Sequence, residues 1–214
     1  MPGARECLPA MLASPYLRAR TCVRRVLGSR RLLRRGRERP LRIVIGASGF
    51  FDEGWIPTDV EYLNAVNRQD WVRYFQPDSV DAILAEHVWE HLTAEEGLRA
   101  ARNCHEFLRP GGYARIAVPD GLHPDPAYIG RVRIGGTGPG ADDHKMLFTY
   151  RTIADMFEEA GFSVDLLEYF DEQGIFHAMP WTPDKGLIRR SCRFDVRNES
   201  GTVRYTSLIV DAVK

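Results

Sequence analysis

The sequence of 214 residues has little cysteine and no long apolar run, and each absence excludes a class of protein. Its four cysteines, Cys7, Cys22, Cys104 and Cys192, are scattered and form no Cys-x-x-Cys pair. This argues against a zinc cluster or a disulfide framework and predicts a reducing, cytoplasmic location. No apolar stretch approaches the roughly 20 residues of a membrane-spanning helix. A secretory signal is not expected either, because the basic start lacks an apolar core and a cleavage site.

The chain also has no net charge, but the balance hides an asymmetry. Residues 1–42 hold twelve arginines and no lysine, against only Glu6 and Glu38, so the remainder of the chain is acidic. Phosphate contacts need basic side chains on the working face, so we expect no nucleic-acid substrate. Residues 1–40 are predicted to be a basic arm, either a solvated leader or a helix that contacts an anionic membrane surface or a partner. An arginine-rich, acid-poor start is also typical of organellar transit peptides. The oligomeric state cannot be read from the sequence.

Residues 41–214 alternate between apolar runs of strand length and amphipathic helical segments. This pattern predicts an α/β fold with a Rossmann-like, mostly parallel sheet flanked by helices and shortened in its first half. Two segments near the end are expected to form an antiparallel strand pair at or near one edge. Residues 121–143, rich in glycine, proline and aspartate, are predicted to be a functional loop. The predicted strands span 41–45, 55–60, 79–86, 113–119, 163–170, 192–196 and 202–213, with a turn at 197–201 before the last one. The predicted helices span 93–108 and 149–161. The first should begin with a capping box of Thr93 and Glu96 and end at Arg-Pro-Gly-Gly, residues 109–112, and the second should stop at Gly161.

Candidate binding residues follow the predicted strands, because ligands of open α/β sheets bind beyond the carboxyl ends of the strands. The third strand ends at Glu86 and His87. Asp59 lies at the end of the second strand, where its carboxylate could accept both hydroxyls of a ribose. A nicotinamide-dependent oxidoreductase is disfavoured, because the Gly-x-Gly-x-x-Gly spacing is absent. The turn after the first strand consists of Gly46, Ala47, Ser48 and Gly49, whose glycines permit positive φ and close approach of a ligand.

Two histidine clusters could carry chemistry. His87 and His91 in EHVWEH have the i, i+4 spacing of metal ligands, but the H-E-x-x-H order of zinc proteases is absent, so we expect no metal. His91 is expected to pack at the start of the following helix. His144 follows Asp143 in GADDHK, and an adjacent acid can position an imidazole as a general base.

Five segments in register resemble class I S-adenosylmethionine-dependent methyltransferases, in particular their short bacterial relatives, over residues 41–212. The segments are IVIGASG, GWIPTD, FQPDSVDAILAEHVWEHL, LRPGGYARIAVPD and FTYRTIADMFEEAGF. The resemblance implies S-adenosylmethionine as cofactor, with the glycine turn and Asp59 in its site. It also implies an adenine wall in NRQDWVRYF, with Asp70 and Trp71 in the matching places.

The implied activity is methyl transfer to a small-molecule acceptor, for instance a glycan or another cell-envelope intermediate. Residues 121–143 and 171–190 are expected to build the acceptor pocket. His144, or as second choice His87, is the hypothesis for the base that takes the acceptor proton. The alternative is a non-catalytic, methyltransferase-like module for binding or assembly.

Overall fold

A computed structural model describes residues 15–198 and 203–214, with side chains from residue 23 onward. The strands within these residues form one seven-stranded sheet in the order β2-β1-β3-β4-β7-β5-β6. The helices are α1 (Pro15–Arg35), α2 (Arg68–Tyr74), α3 (Ala94–Phe107), α4 (Pro126–Val132) and α5 (Tyr150–Glu159). The strands are β1 (Arg42–Ile45), β2 (Ile56–Pro57), β3 (Val80–Glu86), β4 (Leu108–Pro119), β5 (Ser163–Phe170), β6 (Phe176–Ala178) and β7 (Ser207–Val213).

The strand directions confirm the predicted Rossmann-like α/β fold. β1 pairs in parallel with β2 and β3, and β3 pairs in parallel with β4. β7 lies antiparallel between β4 and β5, so β5 runs in the direction of the parallel strands. β6 adds an antiparallel edge next to β5. The carboxyl ends of β1, β3 and β4 therefore meet at one edge of the sheet.

The prediction of a closing strand pair at the sheet edge is wrong. β7 lies inside the sheet, because Leu208, Ile209 and Val210 are apolar in succession and are buried on both faces. Residues 192–196 form no strand. The side-chain amide of Asn198 donates to the carbonyls of Cys192 and Tyr205, which folds this segment as a loop instead. The turn was predicted at residues 197–201, and residues 199–202 lie outside the described part of the chain.

β4 begins earlier than predicted, directly after α3. The helix begins with the predicted capping box, in which Thr93 and Glu96 exchange hydrogen bonds with each other's backbone amides. It ends at Phe107, and the Arg-Pro-Gly-Gly segment expected to terminate it belongs to the strand. Backbone bonds between Lys214 and both Gly111 and Gly112, each 2.9 Å long, extend the ladder there.

The basic segment forms a helix that packs on the sheet. Leu32 of α1 is fully buried in the larger hydrophobic core, and Ser29 shares a 2.8 Å hydrogen bond with the hydroxyl of Tyr74. Gly28 lies against the ring of Tyr62, where a Cβ atom would overlap the ring. The division at residue 40 into an arm and a domain stays a prediction. None of the described helices, α1 included, combines the length and the apolar composition that crossing a bilayer requires.

An irregular segment, residues 179–198, covers the second face of the sheet. Successive strand residues point to opposite faces, and Val44 and Leu84 pack there against Trp55 and Ile188. The guanidinium of Arg115 holds this segment by donating to the carbonyl oxygens of Thr182 and Gly186. As a result, the residues that follow Ile188 reach the carboxyl end of β3.

Candidate functional site

The turn after β1 has the backbone that the sequence predicts. Gly46 and Gly49 have φ values of 64° and 92°, and Ser48 between them also has a positive φ of 47°. A Cβ atom on Gly46 would lie 2.7 Å from the nearer γ-methyl carbon of Val88, so only glycine fits without a shift. The amide of Ala47 donates to the carbonyl of Thr58 at 2.9 Å, which fixes the turn beside β2.

Asp59 lies next to this turn and is already engaged. Its Oδ1 accepts a 2.9 Å hydrogen bond from the amide of Ser48, and its Oδ2 accepts one of 3.2 Å from Arg24 of α1. The other guanidinium nitrogen of Arg24 lies 3.2 Å from Glu61. A ligand hydroxyl that binds Asp59 must therefore displace or share the contact with Arg24.

A cavity of about 290 Å³ opens beside the turn, at the carboxyl ends of β1 and β3. This volume is near the lower end of the range for small-molecule sites, about 300–1,000 Å³. Phe50, whose side chain is mostly exposed, lies at its mouth. The cavity is lined by Val44, Ile45, Gly46, Ala47, Ser48, Phe50, Leu84, Glu86, His87, Arg189 and Arg190. We call it the first cavity.

Glu86 builds one wall of the first cavity. Its two carboxylate oxygens accept hydrogen bonds from the backbone amides of Arg189 and Arg190, at 3.1 and 2.8 Å. The side chain of Arg189 forms a 2.7 Å ion pair with Asp52, which links this wall to the loop after β1. Glu86 thus shapes the first cavity mainly by holding the backbone of Arg189 and Arg190 in place.

A second cavity of about 170 Å³ lies next to the first one. His87 and Arg190 line both cavities, so they stand between the two spaces. Residues of the predicted functional loop 121–143 form one side of the second cavity. Its lining consists of His87, Pro119, Arg131, Val132, Gly138, Pro139, Ala141, His144, Arg190, Arg197 and Tyr205, with no acidic side chain among them.

His87 has both ring nitrogens engaged. It adopts a positive φ of 58°, and its Nε2 lies 2.9 Å from the hydroxyl of Ser207. Its Nδ1 is 2.9 Å from Oε1 of Glu90, a carboxylate with no exposed surface. Burial raises the pKa of Glu90, but the nearby charge of His87 outweighs that penalty and holds this pKa below its usual range.

His144 is nearly buried, and one of its nitrogens is free to act. Its Nδ1 lies 2.7 Å from the carbonyl oxygen of Val132. A carbonyl can only accept, so Nδ1 carries the proton and Nε2 retains a lone pair. Asp143, the acid expected to position this imidazole, lies instead 3.4 Å from Nδ1 of His91.

The structure does not bring Asp70 and Trp71 to either cavity. Trp71 is fully buried, stacks on Phe107 with a centroid distance of 5.4 Å and donates to the carbonyl of Ala65. Asp70 accepts a hydrogen bond from the amide of Asn64 at the start of α2. Both side chains hold the turn that leads into α2. The exposed aromatic side chain nearest the first cavity is that of Phe50.

Several lining residues were missed by reasoning from the sequence. Arg131, Arg190, Arg197 and Tyr205 share no motif, and Arg190 is separated from its partner Glu86 by 104 positions. Only the clustering of arginines at residues 189, 190 and 193 in an otherwise acidic body could have drawn attention to this segment.

Comparison with known proteins finds one family of domains that matches part of this chain. The sequence model of the family described as a methyltransferase domain matches residues 60–116, which include β3 and most of β4. The match confirms the predicted resemblance to methyltransferases for residues 60–116, a part of the range 41–212 over which the resemblance was drawn. Among curated proteins, none is similar enough to this sequence to count as a match.

Solved structures similar to this chain include several methyltransferases. An S-adenosylmethionine-dependent methyltransferase from Archaeoglobus fulgidus has 16% identity and a TM-score of 0.47, with 94% of this chain and 100% of that chain covered. A possible histamine N-methyltransferase from Thermotoga maritima has 13% identity and a TM-score of 0.49, with 92% and 96% covered. Because the identities and TM-scores are this low, these structures support no inference about the site or the substrate of this chain.

The residues around the first cavity are compatible with S-adenosylmethionine. This cofactor has no phosphate, so it needs neither a long helix N-terminus nor a basic cradle. Gly46, Ala47 and Ser48 of the turn line the cavity, and Asp59 does not line it but accepts a hydrogen bond from the amide of Ser48. These groups offer what an adenosine portion needs, which is backbone contact and a carboxylate for the ribose hydroxyls.

Proposed function

We propose that this chain is an active S-adenosylmethionine-dependent methyltransferase that acts on a small-molecule acceptor. The observation that carries the proposal is the position of the first cavity. It lies at the carboxyl ends of β1 and β3, beside the glycine turn, and β3 belongs to the segment that matches the methyltransferase domain. The cofactor, when bound, supplies a methyl group already activated on a sulfonium.

In this proposal the first cavity holds the cofactor. The turn 46–49 contacts it through the backbone, Asp59 binds the ribose, and Glu86 keeps the opposite wall in place. Phe50 offers an aromatic face for the adenine, the part that the sequence assigned to Asp70 and Trp71. That earlier assignment has no support from the positions of these two side chains.

The second cavity is proposed to receive the acceptor. Because His87 and Arg190 line both cavities, the methyl group would cross the space next to them. Positioning of the two reactants and exclusion of water supply most of the acceleration for such a transfer. His144 remains the proposed base, since its Nε2 is available and His87 uses both nitrogens in contacts with Glu90 and Ser207.

A glycan or another cell-envelope intermediate is a proposed acceptor, and contact of the basic arm with an anionic membrane surface is also a proposal.

Calorimetry with S-adenosylmethionine tests the cofactor site. The unmodified protein should release heat with one-site stoichiometry, and Asp59→Ala should weaken binding at least about tenfold, since it removes a charge-assisted hydrogen bond. Arg24→Ala, in contrast, should leave Asp59 free and strengthen binding or keep it unchanged. Absence of heat from folded, unmodified protein would refute the cofactor site.

Product analysis then separates an enzyme from the alternative, a non-catalytic binding module. Protein that binds the cofactor should convert it to S-adenosylhomocysteine in the presence of a pool of cell-envelope intermediates. His144→Ala should bind the cofactor normally but turn over more slowly. If binding occurs and no pool supports turnover above the rate without acceptor, the binding module is favoured.

A further inference from the structure

A cluster of metal-ligand side chains lies beside the second cavity, and only His144 among them has a role in the proposed methyl transfer. Glu90, His91 and His144 each offer a ligand atom, and these atoms all lie within 4.8 Å of one another. Glu90 has no exposed surface, and neither of its carboxylate oxygens has a hydrogen-bond partner among the described residues. Nδ1 of His91 is also buried without a hydrogen-bond partner there. Burying a carboxylate without hydrogen-bond partners is costly, and a bound cation would supply the missing partner.

His87 and Asp143 lie close to this group but do not satisfy it. Nδ1 of His87 is 2.9 Å from Oε1 of Glu90, and Oδ2 of Asp143 is 3.4 Å from Nδ1 of His91. Neither contact is aligned as a hydrogen bond. Both residues are therefore close enough to become additional ligands or to orient the existing ones.

We propose that Glu90, His91 and His144 form a binding site for a divalent transition-metal ion such as Zn²⁺. Two imidazoles and one carboxylate are a common set of three protein ligands for a zinc ion with an open position. The set is also suitable for other first-row metals. The inference goes beyond the proposed methyl transfer and does not depend on it.

The backbone holds this group in a prepared arrangement. The amides of Lys145 and Met146 both donate to the carbonyl of Glu90, at 2.7 and 3.2 Å, so the segment bearing His144 is fastened to the segment bearing Glu90. Nδ1 of His144 donates to the carbonyl of Val132, which leaves Nε2 as the nitrogen that can bind an ion. Metal-binding histidines commonly have such an outer hydrogen bond to a backbone carbonyl.

The spacing allows an ion after a small contraction. Ligand atoms about 2.0–2.2 Å from a zinc ion in tetrahedral geometry lie about 3.3–3.6 Å apart. The present separations of up to 4.8 Å would therefore close by about 1 Å, which side-chain rotations can provide. His144 lines the second cavity, so the open position of the ion would face the proposed acceptor.

An ion at this place would change the role of His144 from base to ligand. Its Nε2 would bind the metal, and the positive charge of the ion would lower the pKa of an acceptor hydroxyl or of a bound water. The two roles exclude each other, and metal content distinguishes them. If metal-free protein turns over, His144 is the base that takes the acceptor proton. If turnover appears only after the metal is restored, the ion activates the acceptor instead.

Metal binding is tested directly on the full chain without a histidine tag. Protein stripped by a chelator should take up one equivalent of Zn²⁺, measured by calorimetry and by elemental analysis after gel filtration, and Co²⁺ should give the visible absorption of a low-coordinate site. His91→Ala and Glu90→Gln should each lower the affinity at least about 100-fold. His177→Ala is the matched control, since His177 is partly exposed and paired with Asp171, and it should bind like the unmodified protein.

Two results would overturn the site. One is substoichiometric uptake of both metals by folded, unmodified protein. The other is equal binding by His91→Ala and His177→Ala. Circular dichroism verifies that each variant is folded, and the uptake by the unmodified protein decides the matter even if a variant does not fold. S-adenosylmethionine binding is measured separately, so failure of the metal site leaves the cofactor site untouched.

Discussion

The guanidinium of Arg115 anchors the irregular segment that carries Arg189 and Arg190 to the wall of the first cavity. It has 1% exposure, forms a two-pronged ion pair with Asp211 through bonds of 2.8 Å and donates to the carbonyls of Thr182 and Gly186. It also lies over the ring of Trp181, 4.9 Å from the centroid. One side chain thus joins two central strands to the segment that leads to Arg190.

Replacing Arg115 by methionine keeps much of the volume and removes every polar contact. Asp211 and two carbonyl groups then lose their partner in a largely buried place. Breaking a buried ion pair by removing one partner costs about 3–5 kcal/mol. Because Asp211 is 14% exposed and keeps some contact with water, we expect the free energy of unfolding to fall by about 3 kcal/mol.

Arg109→Met is the matched control. Arg109 forms a comparable pair with Asp81 at 2.6 Å, but its side chain is half exposed, so the loss should stay below about 1 kcal/mol. Urea unfolding followed by circular dichroism measures both variants. The double variant Arg115→Met, Asp211→Leu should recover at least about 1 kcal/mol relative to the sum of the single losses, because no charge is left buried. Equal losses in Arg115→Met and Arg109→Met would refute this reasoning.

Three further predictions concern the site and its surroundings. Gly46→Ala should lower the free energy of unfolding, measured by urea titration, by about 2 kcal/mol and should weaken cofactor binding, because Gly46 has a positive φ and a Cβ atom there would meet Val88. Gly49 also has a positive φ but faces open space, so Gly49→Ala should lower the free energy of unfolding clearly less. Burial raises the pKa of Asp120 to about 6, above the unfolded value, so its contribution to stability is complete below pH 4 and is lost as the pH rises to 6. Asp120→Asn should remove up to about 3 kcal/mol of this dependence between pH 4 and 6, and an unchanged profile would contradict the shift. Phe50→Ala should weaken S-adenosylmethionine binding about fivefold or more by calorimetry with little change in stability, since its ring is exposed, whereas full affinity would exclude it as the adenine contact.

Local patterns carried the prediction of most elements. The capping box at Thr93 and Glu96, the apolar run of β1 and the stop at Gly161 each act within a few residues, so their signals are complete in the sequence. The positive φ of Gly46 and Gly49 followed from the same kind of local reasoning. β4 and β7 were misplaced because their limits depend on which strands they pair with, and that pairing joins positions about 100 residues apart.

The candidate site was predictable only in part. Of the predicted site residues, the first cavity is lined by Gly46, Ala47, Ser48, Glu86 and His87, because the ends of parallel strands share one edge. Gly49 and Asp59 do not line it. The lining by Arg189 and Arg190 was not, since it depends on an irregular segment that Arg115 holds against the sheet. The adenine contact was assigned to Trp71 on the resemblance, while the structure gives that side chain to the core.

The sequence by itself determined an α/β chain with a glycine turn, an acid after the second strand and two histidine clusters, because helix caps, strand periodicity and turns are local properties. Only the tertiary structure decided what these residues face. His91 and His144, 53 positions apart, were expected to have separate duties, but the backbone bonds of Lys145 and Met146 to Glu90 bring them together around a buried carboxylate. A charge in the interior needs a partner, and such partners come from packing rather than from sequence neighbours.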